Sequence, residues 1–197
     1  MTAKIDVMKT YFRIVIAFFC FSLSAMASAQ DIDTLKMPTM SQICEYDDLI
    51  RAEAKKIGWD WRLLASIIYQ ESNFKPDLVN SKGAFGLMQL MPLTMKKYHI
   101  TRNSTVEEQL EAGGKVLVRL DKKLAEVVTD SLERVHFVLA SYNVGMSRVL
   151  SYRELATKNG HNPNVWHNNV ERYSPKQTKA FVREVTNRYF YYKASIE

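Results

Sequence analysis

Glu71 closes an apolar stripe. Leu64, Ile67 and Ile68 precede it by seven, four and three residues, the spacing that puts all four on one face of a helix. A carboxyl group in such a setting is harder to ionise, so its pKa rises. A glutamic acid still protonated near neutral pH can hand a proton to an oxygen too basic to leave unaided, the step that glycosidic bond cleavage requires. A lone glutamate near a helix end more often turns outward or pairs with a lysine. Two other segments shift that balance. Residues 81–92, Ser-Lys-Gly-Ala-Phe-Gly-Leu-Met-Gln-Leu-Met-Pro, set a polar Gln89 among apolar neighbours behind Gly83 and Gly86, which allow close backbone approach. Residues 139–145, Leu-Ala-Ser-Tyr-Asn-Val-Gly, end a helix on Tyr142 and Asn143.

The elements that must position these residues read as nearly all helical, with apolar residues recurring at three and four rather than alternating. One helix is expected over Tyr46–Ile57, stopped by Gly58. A second covers Trp61–Ser72, capped by Asp60 and ended ahead of Pro76. A polar, glycine-containing segment, 80–86, leads into a short helix around Pro92–Tyr98. Ser104-x-x-Glu107 reads as a capping box. It opens a helix with apolar residues at Val106, Leu110, Leu117, Leu120 and Leu124. Further helices are expected over Ser131–Ser141, Ser147–Thr157 and Gln177–Tyr192, with residues 158–175, including Trp166, as a long ordered loop. One mainly α domain fits this pattern.

Composition sets the outer bounds. The 197 residues, 47% hydrophobic and 24% charged, suit one domain with a substantial core. Lys4, Lys9 and Arg13 precede an apolar run, Ile14–Leu23, and then Ser24-Ala25-Met26-Ala27-Ser28-Ala29. That order is a secretory signal peptide, with cleavage expected after Ala29 or, second, after Ala27. The run falls short of the about 20 apolar residues of a membrane span. Cys20 follows Phe19 rather than a small residue, which disfavours lipidation. Cleavage would leave Cys44 alone, without a partner for an intrachain disulfide and read as a structural thiol. The leader carries three basic residues and one acid, so the net charge falls from +6 to near +4 on its removal. Lysine pairs such as Lys55-Lys56, Lys96-Lys97 and Lys122-Lys123 read as solvated helix faces. His99, His136, His161 and His167 lack ligand spacing, so no metal and no cofactor is expected. The aromatic residues Tyr189–Tyr192 beside Lys193 read as helix core and rim, not as a nucleic-acid surface.

Tyr69-Gln70-Glu71-Ser72-Asn73-Phe74, then Gly83-Ala84-x-Gly86-Leu87-Met88-Gln89-Leu90-Met91-Pro92, then Ala140-Ser141-Tyr142-Asn143-x-Gly145 resemble the soluble lytic transglycosylase family in three motifs, in order. The resemblance extends over Thr105–Leu120 and Trp166–Tyr192. It implies a lysozyme-like helical fold related to goose-type lysozyme. The chain then divides into the leader (1–29), an N-terminal extension (30–45) and a catalytic domain (46–197). The resemblance also implies a periplasmic enzyme that cleaves the glycan strands of peptidoglycan. Glu71 becomes the sole acid/base, and Ser81, Gln89, Met91, Tyr142 and Asn143 become glycan-contacting or site-shaping residues. Phe181 departs from the pattern, standing where a tyrosine usually faces the acid. Gln109 stands where asparagine is common, and little is expected of that change.

Most glycosidases use two carboxylates. Between Glu71 and Glu107 the only acid is Asp77, just after Pro76, which reads as a solvated turn residue. The family's reaction needs one. Glu71 would protonate the oxygen leaving N-acetylmuramic acid, then accept the proton of that sugar's C6 hydroxyl as a 1,6-anhydro ring closes. Two other readings share the fold: a hydrolytic muramidase with Asp77 or another acid as the extra group, and a catalytically weak glycan-binding or scaffold protein of an envelope-spanning machine, favoured by Phe181.

Overall fold

The computed structural model describes residues 42–196. The expected leader with Cys20, and the extension as far as residue 41, lie outside the described residues. Among the described residues seven α-helices follow in order: α1 (Asp47–Ile57), α2 (Trp61–Ser72), α3 (Pro92–Tyr98), α4 (Val106–Ala125), α5 (Ser131–Val144), α6 (Met146–Lys158) and, after a 3-10 turn at Val170–Tyr173, α7 (Lys176–Ser195). None is long and apolar enough to cross a membrane. Extended pairing among the described residues is limited to isolated bridges.

Local signals set the helix carrying Glu71. Gly58 ends α1 in the left-handed region (φ 74°), where a side chain would be strained. Asp60 then caps α2, its carboxylate accepting the Arg62 N–H at 2.9 Å. The pattern predicts an apolar stripe, but Leu63, Leu64, Ala65, Ser66, Ile67 and Ile68 are all buried. The helix is enclosed on every side, because α1 and α7 flank it and the 73–91 loop folds over its end.

The capping box of α4 sits one residue later than the sequence reading places it. The run Ser104-Thr105-Val106-Glu107-Glu108 contains two overlapping candidates. Thr105 Oγ1 accepts the Glu108 N–H at 3.3 Å, and Glu108 Oε2 accepts the Thr105 N–H at 2.8 Å. Ser104 Oγ is occupied elsewhere, accepting the Thr101 N–H at 3.1 Å and closing the preceding turn.

The C-terminal half wraps α5. That helix packs against α4, α6 and α7 and runs three residues past its expected end, so Tyr142 and Asn143 occupy its last turn. The 158–175 segment is ordered by specific ties. Trp166 is fully buried edge-on to Phe137 at 5.6 Å, and its backbone N–H donates to Glu133 Oε2 at 2.9 Å. Arg153 donates to the Pro163 carbonyl and to Asn164. His136 and His167 meet edge to face, ring centres 4.7 Å apart, beside Glu133 and Glu171. They form one cluster rather than separate surface groups. Cys44 is a half-buried free thiol that burial pushes up to about 12, so it stays protonated and unreactive near neutral pH.

Two side-chain bonds fix α7 along α2. Tyr189 donates to Asp60, at the start of α2, and Thr178 donates to Asn143 Oδ1 at 2.9 Å, at the end of α5. Asn143 adjoins Tyr142, which senses the Glu71 charge. Therefore α7 runs antiparallel to α2, and Phe181, one turn past Thr178, sits toward the Glu71 end. Its ring is buried.

Candidate active site

Asn73 and Phe74 follow α2 with positive φ, 51° and 60°, and turn the chain back across the helix end. The following loop is folded on itself by bridges pairing Phe85 with Val79 and with Leu90. Gln89 takes φ 46°, and its side-chain amide donates to the carbonyls of Leu78 and Gly86, both at 3.0 Å. Gly86 is required twice over. Its φ is 79°, and a Cβ there would run into the Gln109 carboxamide.

The Leu87 peptide joins two helices. Ser72 of α2 donates to its carbonyl at 2.8 Å, and Gln109 of α4 accepts its N–H at 2.9 Å. The other end of the Gln109 amide donates to the Ser104 carbonyl at 3.1 Å. Met88 lies so close to Gly113 that any side chain at 113 would displace it. The Met88 carbonyl accepts the Tyr142 hydroxyl at 2.6 Å, which brings in α5. One loop thus ties α2, α4 and α5 together, and every tie is made by a side chain of sharply directional chemistry.

Glu71 stands at the edge of this construction. It is partly buried, so water reaches it while most of its surroundings are protein. Among the described residues no group donates a hydrogen bond to its carboxylate and no cation pairs with it. Burial alone acts, and it pushes the carboxyl from the ordinary 4.5 up to about 7. Tyr142 is driven well above its usual range, first by burial and then by the Glu71 charge, so its hydroxyl stays protonated and donating. Near neutral pH the pair therefore offers a carboxyl balanced between acid and base beside a neutral phenol.

A cleft of about 380 Å³ opens next to Tyr142, between the loop, α4 and the α5–α6 junction. Gln89, Met91 and Tyr142 line it. Met91 is 46% exposed, a large apolar side chain presented to solvent at the mouth. Glu71 itself is not on the cleft wall and meets it only through Tyr142, and other expected residues also lie off it. Ser81 is exposed on the turn that Asn80 closes by accepting the N–H groups of Lys82 and Ala84. Asn143 spends its carbonyl oxygen on Thr178. Phe181 belongs to the core behind the site. Asp77 is exposed in its turn.

Four residues contribute more than the sequence reading assigned to them. Gln109, of which little was expected, is buried and holds the loop through both ends of its amide. Its partner Leu87 is 22 residues away, so no local pattern marks the pairing. Thr178 and the pair Arg119 and Lys123, which line the far wall of the cleft, are likewise visible only after folding. For Ser72 a signal existed, because it adjoins Glu71 in the first motif.

Comparison with known proteins adds an independent line. The Transglycosylase SLT domain family matches residues 48–165. Membrane-bound lytic murein transglycosylase F of Stutzerimonas stutzeri (strain A1501) is 38% identical over 121 residues, 61% of this chain and 25% of that protein. The protein of the same name from Salmonella choleraesuis (strain SC-B67) is 34% identical over 145 residues, 74% of this chain and 28% of that protein. The chain spans 25% to 35% of the length of such curated relatives. Two solved structures share the fold. The 70 kDa soluble lytic transglycosylase of Escherichia coli has a TM-score of 0.57 at 24% identity, and an inactive mutant of the lytic transglycosylase Slt of Pseudomonas aeruginosa has 0.56 at 22%. Each covers 75% of this chain and 24% of its own.

Proposed function

Because the chain belongs to the Transglycosylase SLT domain family, we propose that it is a peptidoglycan lytic transglycosylase, with Glu71 acting alone as acid and then base. The observation that carries this reading is the Glu71 carboxyl itself. It is desolvated, unpaired among the described residues and raised to about 7, and its charge reaches Tyr142, which lines the neighbouring cleft with Gln89 and Met91.

The reaction runs in two proton transfers through that carboxyl. Glu71 donates its proton to the oxygen joining N-acetylmuramic acid to N-acetylglucosamine, and the glycosidic bond breaks as that oxygen leaves as a hydroxyl. The substrate's own N-acetyl group stabilises the positive charge growing on the sugar carbon. Glu71, now ionised, takes the proton of the C6 hydroxyl on the same muramoyl residue, whose oxygen bonds to that carbon. The product ends in 1,6-anhydro-N-acetylmuramic acid, no water is consumed, and Glu71 returns protonated. A pKa near 7 suits both halves, since one group must give a proton and then accept one. The attacking hydroxyl is tethered to the reacting sugar, which gives it a large effective concentration over water.

Residues around the acid hold it rather than react. Tyr142, tied to the Met88 carbonyl, fixes the loop against α5 beside the carboxyl. Gln89 and Met91 shape the wall on which the sugars lie, and Asn143, through Thr178, sets the position of α7. Ser81 stands as a contact for more distant sugars. No cofactor enters the scheme. Residues 1–29 direct export to the periplasm, where the glycan strands are the partner and where an envelope-spanning machine needing a local opening in the wall is a candidate user.

The test is to incubate the purified protein, and Glu71→Gln beside it, with peptidoglycan and weigh the released fragments. Anhydro-ended fragments from the wild type and none from Glu71→Gln support the proposal. Fragments heavier by one water would make it a muramidase. No fragments from either would favour a binding role.

A further inference from the structure

The catalytic cleft does not stop at α4. Arg119 and Lys123, one helical turn apart, line its far wall and also line a second hollow of about 420 Å³ on the outer side of the same helix. The rest of that hollow is Lys115 and Lys122 around an apolar floor of Ile57 and Val118. Four cations face it, and no carboxylate lines it. Lys115 is held by Glu111, but among the described residues Arg119, Lys122 and Lys123 form no ion pair. Clustered like charges repel one another, so an uncompensated group of this kind is most stable with an anion among them.

The sugars of a peptide-bearing glycan strand do not supply that anion, because N-acetylglucosamine is neutral and the lactyl carboxyl of N-acetylmuramic acid is held as an amide to its peptide. In peptidoglycan the charge lies on the short peptide borne by the lactyl group of each muramoyl residue, which carries free carboxylates and alanine methyl groups. A muramoyl sugar seated beside Tyr142 would direct its peptide out of the cleft, and the cation-lined exit leads over Arg119 and Lys123. We propose that the hollow on α4 is a binding site for the carboxylates of that stem peptide, with the Ile57–Val118 floor receiving its methyl groups. The planar Arg119 guanidinium can grip a carboxylate with two parallel N–H donors, and Lys122 and Lys123 add mobile charges around it. This rests on peptidoglycan being the substrate.

The experiment separates binding from turnover. The full chain carrying Glu71→Gln is titrated calorimetrically with two soluble glycan-strand preparations, one bearing stem peptides and one stripped of them with the freed lactyl carboxyls converted to uncharged amides. The stem-bearing strands should bind about tenfold more tightly, as two or three partly exposed charge pairs would give. That advantage should shrink as salt is raised from 0.05 to about 0.5 M. Adding Arg119→Gln, Lys122→Gln and Lys123→Gln should abolish it. Equal affinity for the two preparations would overturn the proposal, as would substitutions that weaken both equally, since the cations would then serve the sugars. Equally tight binding to vesicles of anionic phospholipid would also overturn it, marking a general polyanion surface. Failure of the enzymatic reading shows separately, as absence of anhydro product from the wild-type chain.

Discussion

Glu71→Gln is expected to stabilise the protein at pH 8 relative to pH 4 while abolishing activity. Burial raises the folded-state pKa of Glu71 from 4.5 to about 7, so between those values the folded protein binds more protons than the unfolded chain. Stability contributed by the protonated carboxyl is complete below pH 4.5. It is lost progressively as pH rises and is gone above about pH 7. The rise corresponds to about 3 kcal/mol, which in a domain of this size moves the melting temperature by about 6–12 °C. Glutamine fills nearly the same space and does not titrate, so whatever its amide costs is the same at both pH values and cancels. Melting curves of both proteins at pH 4 and pH 8, followed by circular dichroism, give the comparison. An unchanged difference between variant and wild type at the two pH values would refute the reasoning, because an ionised Glu71 would then cost the fold nothing.

Other consequences follow from the same geometry. Since Glu71 must begin protonated, kcat/KM should fall about tenfold for each pH unit above about 7, as read by fragment release across pH 5–9. Gln109→Leu keeps the volume but leaves the buried Leu87 N–H without its acceptor. A loss of about 1–3 kcal/mol is expected in urea unfolding, together with lower activity. Phe181→Tyr places a hydroxyl at the Glu71 end of α7. A hydrogen bond to the ionised carboxyl lowers its pKa, so the alkaline fall in activity should begin at a lower pH than in the wild type.

The sequence was most readable where neighbours in the chain decide the outcome. Gly58 and Asp60 mark the boundary of α1 and α2 through backbone shape and a capping bond two residues long, and the structure keeps both. Glu71 could be located at the end of an apolar helix face because helical spacing is local. The lysozyme-like helical architecture followed from the three motifs together. Legibility failed where distant segments choose between local options. Ser104 and Thr105 are equally good caps by pattern, and the Thr101 N–H engages the first of them. The enclosure of α2 depends on α7, more than a hundred residues later. Gln109 looks like an ordinary polar helix residue until the loop brings Leu87 to it, and His136 and His167 become a pair only when the 158–175 segment folds back onto α5. The cations of α4 read as a solvated face because nothing in their spacing tells that two of them border the cleft.

The most direct test of a single carboxyl closing an internal ring is to digest peptidoglycan in water enriched in oxygen-18. Muramoyl ends released by this protein should carry no label, because the oxygen that closes the ring is the sugar's own C6 hydroxyl. Label at the C1 oxygen of the new ends would mean that water attacks, and would contradict the account.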